Sequence, residues 1–213
     1  VGLDVEMLTV GAIAENCFLL RRQDSDRVLV VDPGEEAERI LAAAAELGEV
    51  EAILLTHCHF DHIGAVAPVA AATGAPVYCP AIEVPMLTDI MAFVPWPGFG
   101  PYESYDPDET VAGGEALALA GLELDVIFTP GHSPGHVTYS VRGEGAIFSG
   151  DVLFQGSVGR VDLPGGDGPT LIESIGTLLD THPDETVVHP GHMGITTLGA
   201  ERASNPFLTS LAR

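Results

Sequence analysis

The sequence predicts an α+β fold in which two mixed β-sheets pack face to face with helices outside. Three observations point there. Strand-like and helical segments are intermixed, with tight hairpins where regular βαβ units would run. The second half of the chain repeats the style of the first. In each half, apolar strands end on runs of polar residues that could ligate a metal. With 213 residues, 46% of them hydrophobic, the chain suffices for a single domain over residues 1–213 with a large core.

In the first half, residues 6–10, 16–20 and 28–31 are strand-like, and Asp32-Pro33-Gly34 is a strong turn signal. Residues 35–48 place Ile40, Leu41, Ala44 and Leu47 at helical spacing, with Gly48 as C-cap. The apolar run 52–55 predicts a buried strand. Residues 61–73 predict a helix stopped by Gly74, with a kink or break at Pro68. A short strand returns at 76–79. Residues 86–110 have little periodicity, carry Pro95, Pro97, Pro101 and Pro107, and hold Phe93, Trp96, Phe99, Tyr102 and Tyr105. A loop insertion of that length with that many rings is expected to serve the site. In the second half, hairpins are expected at 115–119 with 122–128 and at 137–141 with 146–149. A helix is expected at 170–179, a strand at 186–188 and a helical turn or two at 197–203.

Charge excludes several partners. Eight arginines, no lysine and 31 acidic residues give a formal net charge of −23. Nucleic acid and anionic membrane both require basic patches. Two readings of the acidity compete: a solvated surface suited to high salt, which is favoured, or a surface that repels anionic substrates and admits neutral or cationic ones. No apolar run reaches the roughly 18 residues of a bilayer span. Cys17, Cys58 and Cys79 make no disulfide framework, and the N-terminus lacks a signal-peptide flank, so a cytoplasmic, reduced setting is expected.

The run Thr56-His57-Cys58-His59-Phe60-Asp61-His62 places three of the eight histidines and a carboxylate directly after the buried strand. Neutral imidazoles and carboxylates are ligands for first-row divalent metals. Residues two apart on a strand exit point the same way, so His57 and His59 can share one ion. Asp61 and His62, one turn on, can reach a second. His132, His136, Asp151, His189 and His192 are further candidates, with His136 and His189 suited to orienting ligands through hydrogen bonds. The thiols of Cys17 and Cys79 read as small buried hydrophobes.

Residues 56–64 (Thr-His-Cys-His-Phe-Asp-His-Ile-Gly) resemble the His-x-His-x-Asp-His signature of the metallo-β-lactamase fold hydrolases. The resemblance continues through Thr-Pro-Gly-His-Ser-Pro-Gly-His (129–136), Phe-Ser-Gly-Asp (148–151) and His-Pro-Gly-His (189–192). Residues 156–162 and 197–208 are most similar to short glyoxalase II-like relatives without the C-terminal helical domain. The resemblance implies a four-layer αββα sandwich with a dinuclear centre at one edge. His57, His59 and His132 would hold one ion, Asp61, His62 and His192 the other, and Asp151 would bridge. Asp32 would support the ligand loop. The ions implied are zinc, with iron or manganese also compatible with such a set.

The activity implied is hydrolysis of a thioester such as S-lactoylglutathione by metal-activated water, with Asp61 as catalytic residue. The chain shows no Gly-x-Ser-x-Gly nucleophile elbow. Arg160 falls where the family places a basic contact to the glutathione glycine carboxylate, with an ion pair to Asp162 as the competing role. Trp96, Phe99 and Tyr102 are candidate substrate contacts. Two enzyme readings stay open beside this one: a mononuclear iron persulfide dioxygenase binding through His57, His132 and Asp151, and a lactonase or β-lactamase of the same fold. The expected assembly is a monomer or homodimer.

Overall fold

The computed structural model describes residues 2–208. The first half runs β1 (Leu3–Val10), β2 (Glu15–Arg22), β3 (Arg27–Val31), α1 (Ala37–Leu47), β4 (Glu49–Leu54), α2 (Phe60–Ile63), α3 (Val66–Thr73) and β5 (Val77–Pro80). It continues through α4 (Val84–Thr88), α5 (Ile90–Phe93) and β6 (Glu109–Val111). The second half holds β7 (Ala116–Leu119), β8 (Leu122–Phe128), β9 (Val137–Val141), β10 (Ala146–Gly150), β11 (Leu153–Phe154) and β12 (Ser157–Val158). It closes with α6 (Gly168–Thr181), β13 (Val187–Pro190), β14 (Thr196–Thr197) and α7 (Leu198–Ser204).

Two six-stranded sheets form, in the orders β1-β2-β3-β4-β5-β6 and β14-β13-β10-β9-β8-β7. Side-chain alternation along each strand then creates three apolar layers. Phe18, Leu20, Leu29, Val31, Ala52 and Leu54 face inward from the first sheet, onto Leu124, Val126, Tyr139 and Phe148 of the second. Their neighbours Cys17, Leu19, Val28, Val30 and Ile53 face outward, under Ile40 and Ala44 of α1 and Val66 and Val69 of α3. On the far side, Ile147 and Val188 pack under Leu171, Ile175 and Leu178 of α6. Helix, sheet, sheet and helix are thus layered as the αββα sandwich expects. Strands buried on both faces read as continuous apolar runs, which is why residues 28–31 of β3 and 52–54 of β4 show no polar alternation.

Two local expectations shift. The helix expected over 61–73 is interrupted at Gly64–Ala65, ahead of Pro68. The Ala65 amide donates outside the helix, to the Pro33 carbonyl at 3.0 Å. Pro68 falls in the first turn of α3, where an amide hydrogen is not needed. The segment 86–110 is also more ordered than a plain loop, since most of α4, all of α5 and the start of β6 lie within it. No helix among the described residues is long and apolar enough to cross a membrane.

Candidate metal centre

The sandwich brings four chain segments to one edge. Ligand candidates from the β4–α2 exit (His57, His59, Asp61, His62) meet His132 from the loop after β8, Asp151 after β10 and His192 after β13. A register shift between Phe148 and Gly150 in the β10–β13 ladder ends the strand just before Asp151. The first sheet clamps the His192 loop. The Asn16 amide donates to Gly191 O at 2.7 Å, and its side-chain Nδ2 donates to Pro190 O at 3.0 Å and Met193 O at 2.9 Å. Gly191 permits that approach, because a Cβ there would lie 2.3 Å from Asp151 Oδ1 and 2.6 Å from His62 Cε1.

Four of the five candidate imidazoles are turned by a partner on the outer nitrogen. The Thr56 hydroxyl donates to Asp32 Oδ2 at 2.6 Å, so its oxygen accepts from His57 Nδ1 at 3.0 Å. Asp32 Oδ2 also accepts from His62 Nδ1 at 3.0 Å, and its Oδ1 accepts from the Thr56 amide at 2.7 Å. His132 Nδ1 donates to the Arg160 carbonyl at 2.8 Å, and His192 Nδ1 to the Ala14 carbonyl at 3.2 Å. With metal bound, all four rings would therefore present an Nε2 lone pair to the centre. His59 is reversed, with Nδ1 set 2.8 Å from His132 Nε2.

Two ligand groups result. Atoms of His57, His59 and His132 lie within 4.8 Å of one another, as do those of Asp61, His62 and His192. Asp151 lies between them, with Oδ2 3.4 Å from His132 Nε2 and 3.5 Å from His192 Nε2, and Oδ1 3.3 Å from His62 Nε2. Three converging atoms, Nε2 of His57 and His62 and Oδ1 of Asp151, are buried without a hydrogen-bond partner. Leaving a polar atom so costs about 1–3 kcal/mol, and bound cations would satisfy all three. The residues fit a metal.

The electrostatics agree. Burial pushes the His57 imidazole well below its usual range, so it stays a neutral donor. For His62 burial works the same way, but Asp151 and Asp61 outweigh it and hold the ring well above that range. Burial also opposes the charge of Asp151, yet His62, His192 and His132 keep its carboxyl below the ordinary range. Without a cation, the carboxylates draw a proton onto His62 in its place.

Among the supporting candidates, His136 accepts from the Asp151 amide on Nε2 at 3.1 Å, and its Nδ1 faces Thr129 Oγ1 at 3.1 Å. His189 lies in the core instead, stacked on Phe148 with centroids 4.7 Å apart and edge-on to Phe18 at 5.4 Å. Two buried acids escaped sequence reasoning. Glu83 Oε1 accepts from Ser133 Oγ at 2.8 Å and the Gly135 amide at 2.6 Å, while Oε2 accepts from the Cys58 amide at 3.2 Å. It thereby joins the 57–62 and 132–136 loops. Burial pushes the Glu15 carboxyl well above its usual range, and its Oε1 lies 3.7 Å from His62 Nδ1. Neither acid belongs to a motif, and both find their partners only through tertiary packing.

A cavity of about 770 Å³ opens over the centre, with His59, Asp61, His132, Asp151 and His192 on its floor. Trp96 and Arg160 line it, together with Phe93 and Phe154. Phe99 and Tyr102 turn away onto Phe60, with ring centroids at 5.0 and 5.9 Å. The Tyr102 hydroxyl donates to Glu35 Oε1 at 2.7 Å. Both rings border a separate cleft of about 280 Å³.

A sequence model of the metallo-beta-lactamase superfamily matches residues 10–192, which span every ligand candidate. The chain belongs to this superfamily. Among superfamily members, it is 36% identical over 216 residues to hydroxyacylglutathione hydrolase GloC of Haemophilus influenzae, covering 98% of this chain and 99% of that one. The fold matches the crystal structure of BLEG-1 B3 metallo-beta-lactamase with a TM-score of 0.91 at 38% identity, covering 97% of this chain and 100% of that one. It also matches TTHA1623 in a di-iron-bound form, with a TM-score of 0.86 at 41% identity and coverage of 95% and 100%. Superfamily membership makes the chain a metal-binding hydrolase.

Proposed function

We propose that the chain is a dinuclear metal hydrolase whose substrates are thioesters. The observation that carries this reading is the pair of ligand groups sharing Asp151 at the floor of an open cavity. His57, His59 and His132 would hold one ion and Asp61, His62 and His192 the other, with Asp151 available to both. Bound divalent ions supply two things: a lowered pKa for water and polarisation of a carbonyl.

The protein's own groups do the rest. Burial opposes the charge of Asp61, but His62 and His192 outweigh it, so the carboxyl stays ionised. It faces the cavity 3.3 Å from His192 Nε2 and can orient water and take its proton. No thiol competes as nucleophile, since all three cysteines are buried. A thiolate is a good leaving group and needs little help from a general acid.

Similarity to GloC supports the thioester class, and similarity to BLEG-1 favours β-lactam cleavage as the second reading. The assembled Asp61–His62–His192 group weighs against a mononuclear centre. The deciding assay gives metal-loaded protein S-lactoylglutathione, a hexanoyl thioester, a chromogenic cephalosporin and, with oxygen uptake followed, glutathione persulfide. Thioester hydrolysis should dominate. Faster cephalosporin cleavage, or oxygen uptake without thioester hydrolysis, would overturn the reading.

A further inference from the structure

We infer that the cavity selects substrates through an uncharged, apolar group beside the scissile bond, and not through anionic groups such as the carboxylates of glutathione. The inference rests on the thioesterase reading and names the substrate class for that site.

The walls carry it. Above the charged floor the lining is apolar, from Ile13, Met86, Phe93, Val94, Leu163 and Met193 among others. Phe93 is 50% exposed and Met193 55%, although both border a concave site. Large apolar side chains left open to water around a cavity mark a surface that an apolar ligand would cover. The wall carries one positive charge, and a carboxylate already neutralises it. Arg160 is its single arginine, and that guanidinium is already committed: Nε donates to Asp162 Oδ1 at 2.7 Å and NH2 to Oδ2 at 2.8 Å. Its face lies 5.3 Å from the centre of the Trp96 ring.

A substrate carboxylate could displace Asp162 only by exchanging one exposed ion pair for another, with little gain. The rest of the molecule gives no help. Arg21, Arg22, Arg27, Arg39, Arg142 and Arg202 are each paired to a carboxylate as well. Among the described residues no arginine is unpaired, in a chain of net charge −23. An incoming polyanion therefore meets repulsion at a distance and no unpaired arginine on the wall. An alkyl or aryl group meets rings and aliphatic walls.

The test is calorimetric binding of non-hydrolysable thioethers to the full metal-loaded chain. S-methyl and S-hexyl derivatives of N-acetylcysteamine and of glutathione make the four probes. Each fully buried methylene tightens binding about fourfold, so hexyl should exceed methyl by at least tenfold in both series. S-hexyl N-acetylcysteamine should bind at least as tightly as S-hexylglutathione. Asp162→Asn, which frees Arg160, should tighten S-hexylglutathione threefold or more and leave the uncharged probe unaffected. Equal affinities for methyl and hexyl, or tenfold tighter wild-type binding of S-hexylglutathione than of its uncharged counterpart, would overturn the inference. An Asp162→Asn variant with no gain would overturn the account of Arg160. If the probes rank as expected but hexanoyl thioesters are not hydrolysed, the thioesterase reading fails and the cavity's selectivity stands.

Discussion

The floor of the cavity and the wall above it are fixed by different physics. At and beneath the floor, His57, His62 and His132 are almost wholly buried, and each ring is oriented by a hydrogen bond, to Thr56, Asp32 and the Arg160 carbonyl in turn. On the wall, Phe93 and Trp96 keep 50% and 38% of their surface in water and are held by packing and by one stacked guanidinium. Directional bonds among buried polar groups tolerate little displacement, whereas apolar contact accepts many shapes. The difference separates two decisions: the floor settles what chemistry is possible, and the wall settles what enters.

Substitutions on the floor should therefore be severe and those on the wall mild. The largest effect is expected for Asp61→Ala, which removes the carboxylate that orients water. kcat should fall by about a thousandfold or more with circular dichroism unchanged, and a loss below about tenfold would contradict the assigned role. Next comes Glu83→Ala, which strands the Cys58 and Gly135 amides and the Ser133 hydroxyl. Denaturant unfolding should show a loss of about 3 kcal/mol, with Glu83→Gln recovering much of it. A loss within about 0.5 kcal/mol would show that the two loops do not depend on this carboxylate.

Proton competition sharpens the same contrast. Against the opposing effect of burial, Asp151 and Asp61 hold His62 protonated above its ordinary range in the metal-free protein. Ion uptake must displace that proton, so affinity should rise with pH, by up to about tenfold per unit below the raised pKa. Competition with a chelator at pH 6, 7 and 8 measures it, and a flat profile would remove His62 from the ligand set. The smallest effect is expected on the wall. Trp96→Ala should raise KM about fivefold for an apolar thioester and change kcat by less than about twofold. A collapse of kcat would make the ring part of the chemistry.

This division also explains what the sequence revealed. His57, His59, Asp61 and His62 are neighbours in the chain, so their convergence is a local property of a strand exit. Their partners His132, Asp151 and His192 could be placed only through resemblance. The layers followed from strand alternation and apolar runs. Glu83 stayed hidden because its acceptors' partners lie 25 to 52 residues away, and an acid in a short helical turn looks like ordinary surface. His189 resembles a ligand in its His-Pro-Gly-His setting, yet the β13 pleat turns it onto Phe148. The helices α4 and α5 span only 5 and 4 residues, too few for periodicity to register between prolines.

The central claim is that two preassembled ligand groups share Asp151. Elemental analysis of the protein after loading with zinc and removal of loosely bound ions tests it most directly, alongside His192→Ala. The wild type should hold two ions per chain and the variant one. A wild type that saturates at a single ion, unchanged by loss of His192, would contradict the dinuclear centre.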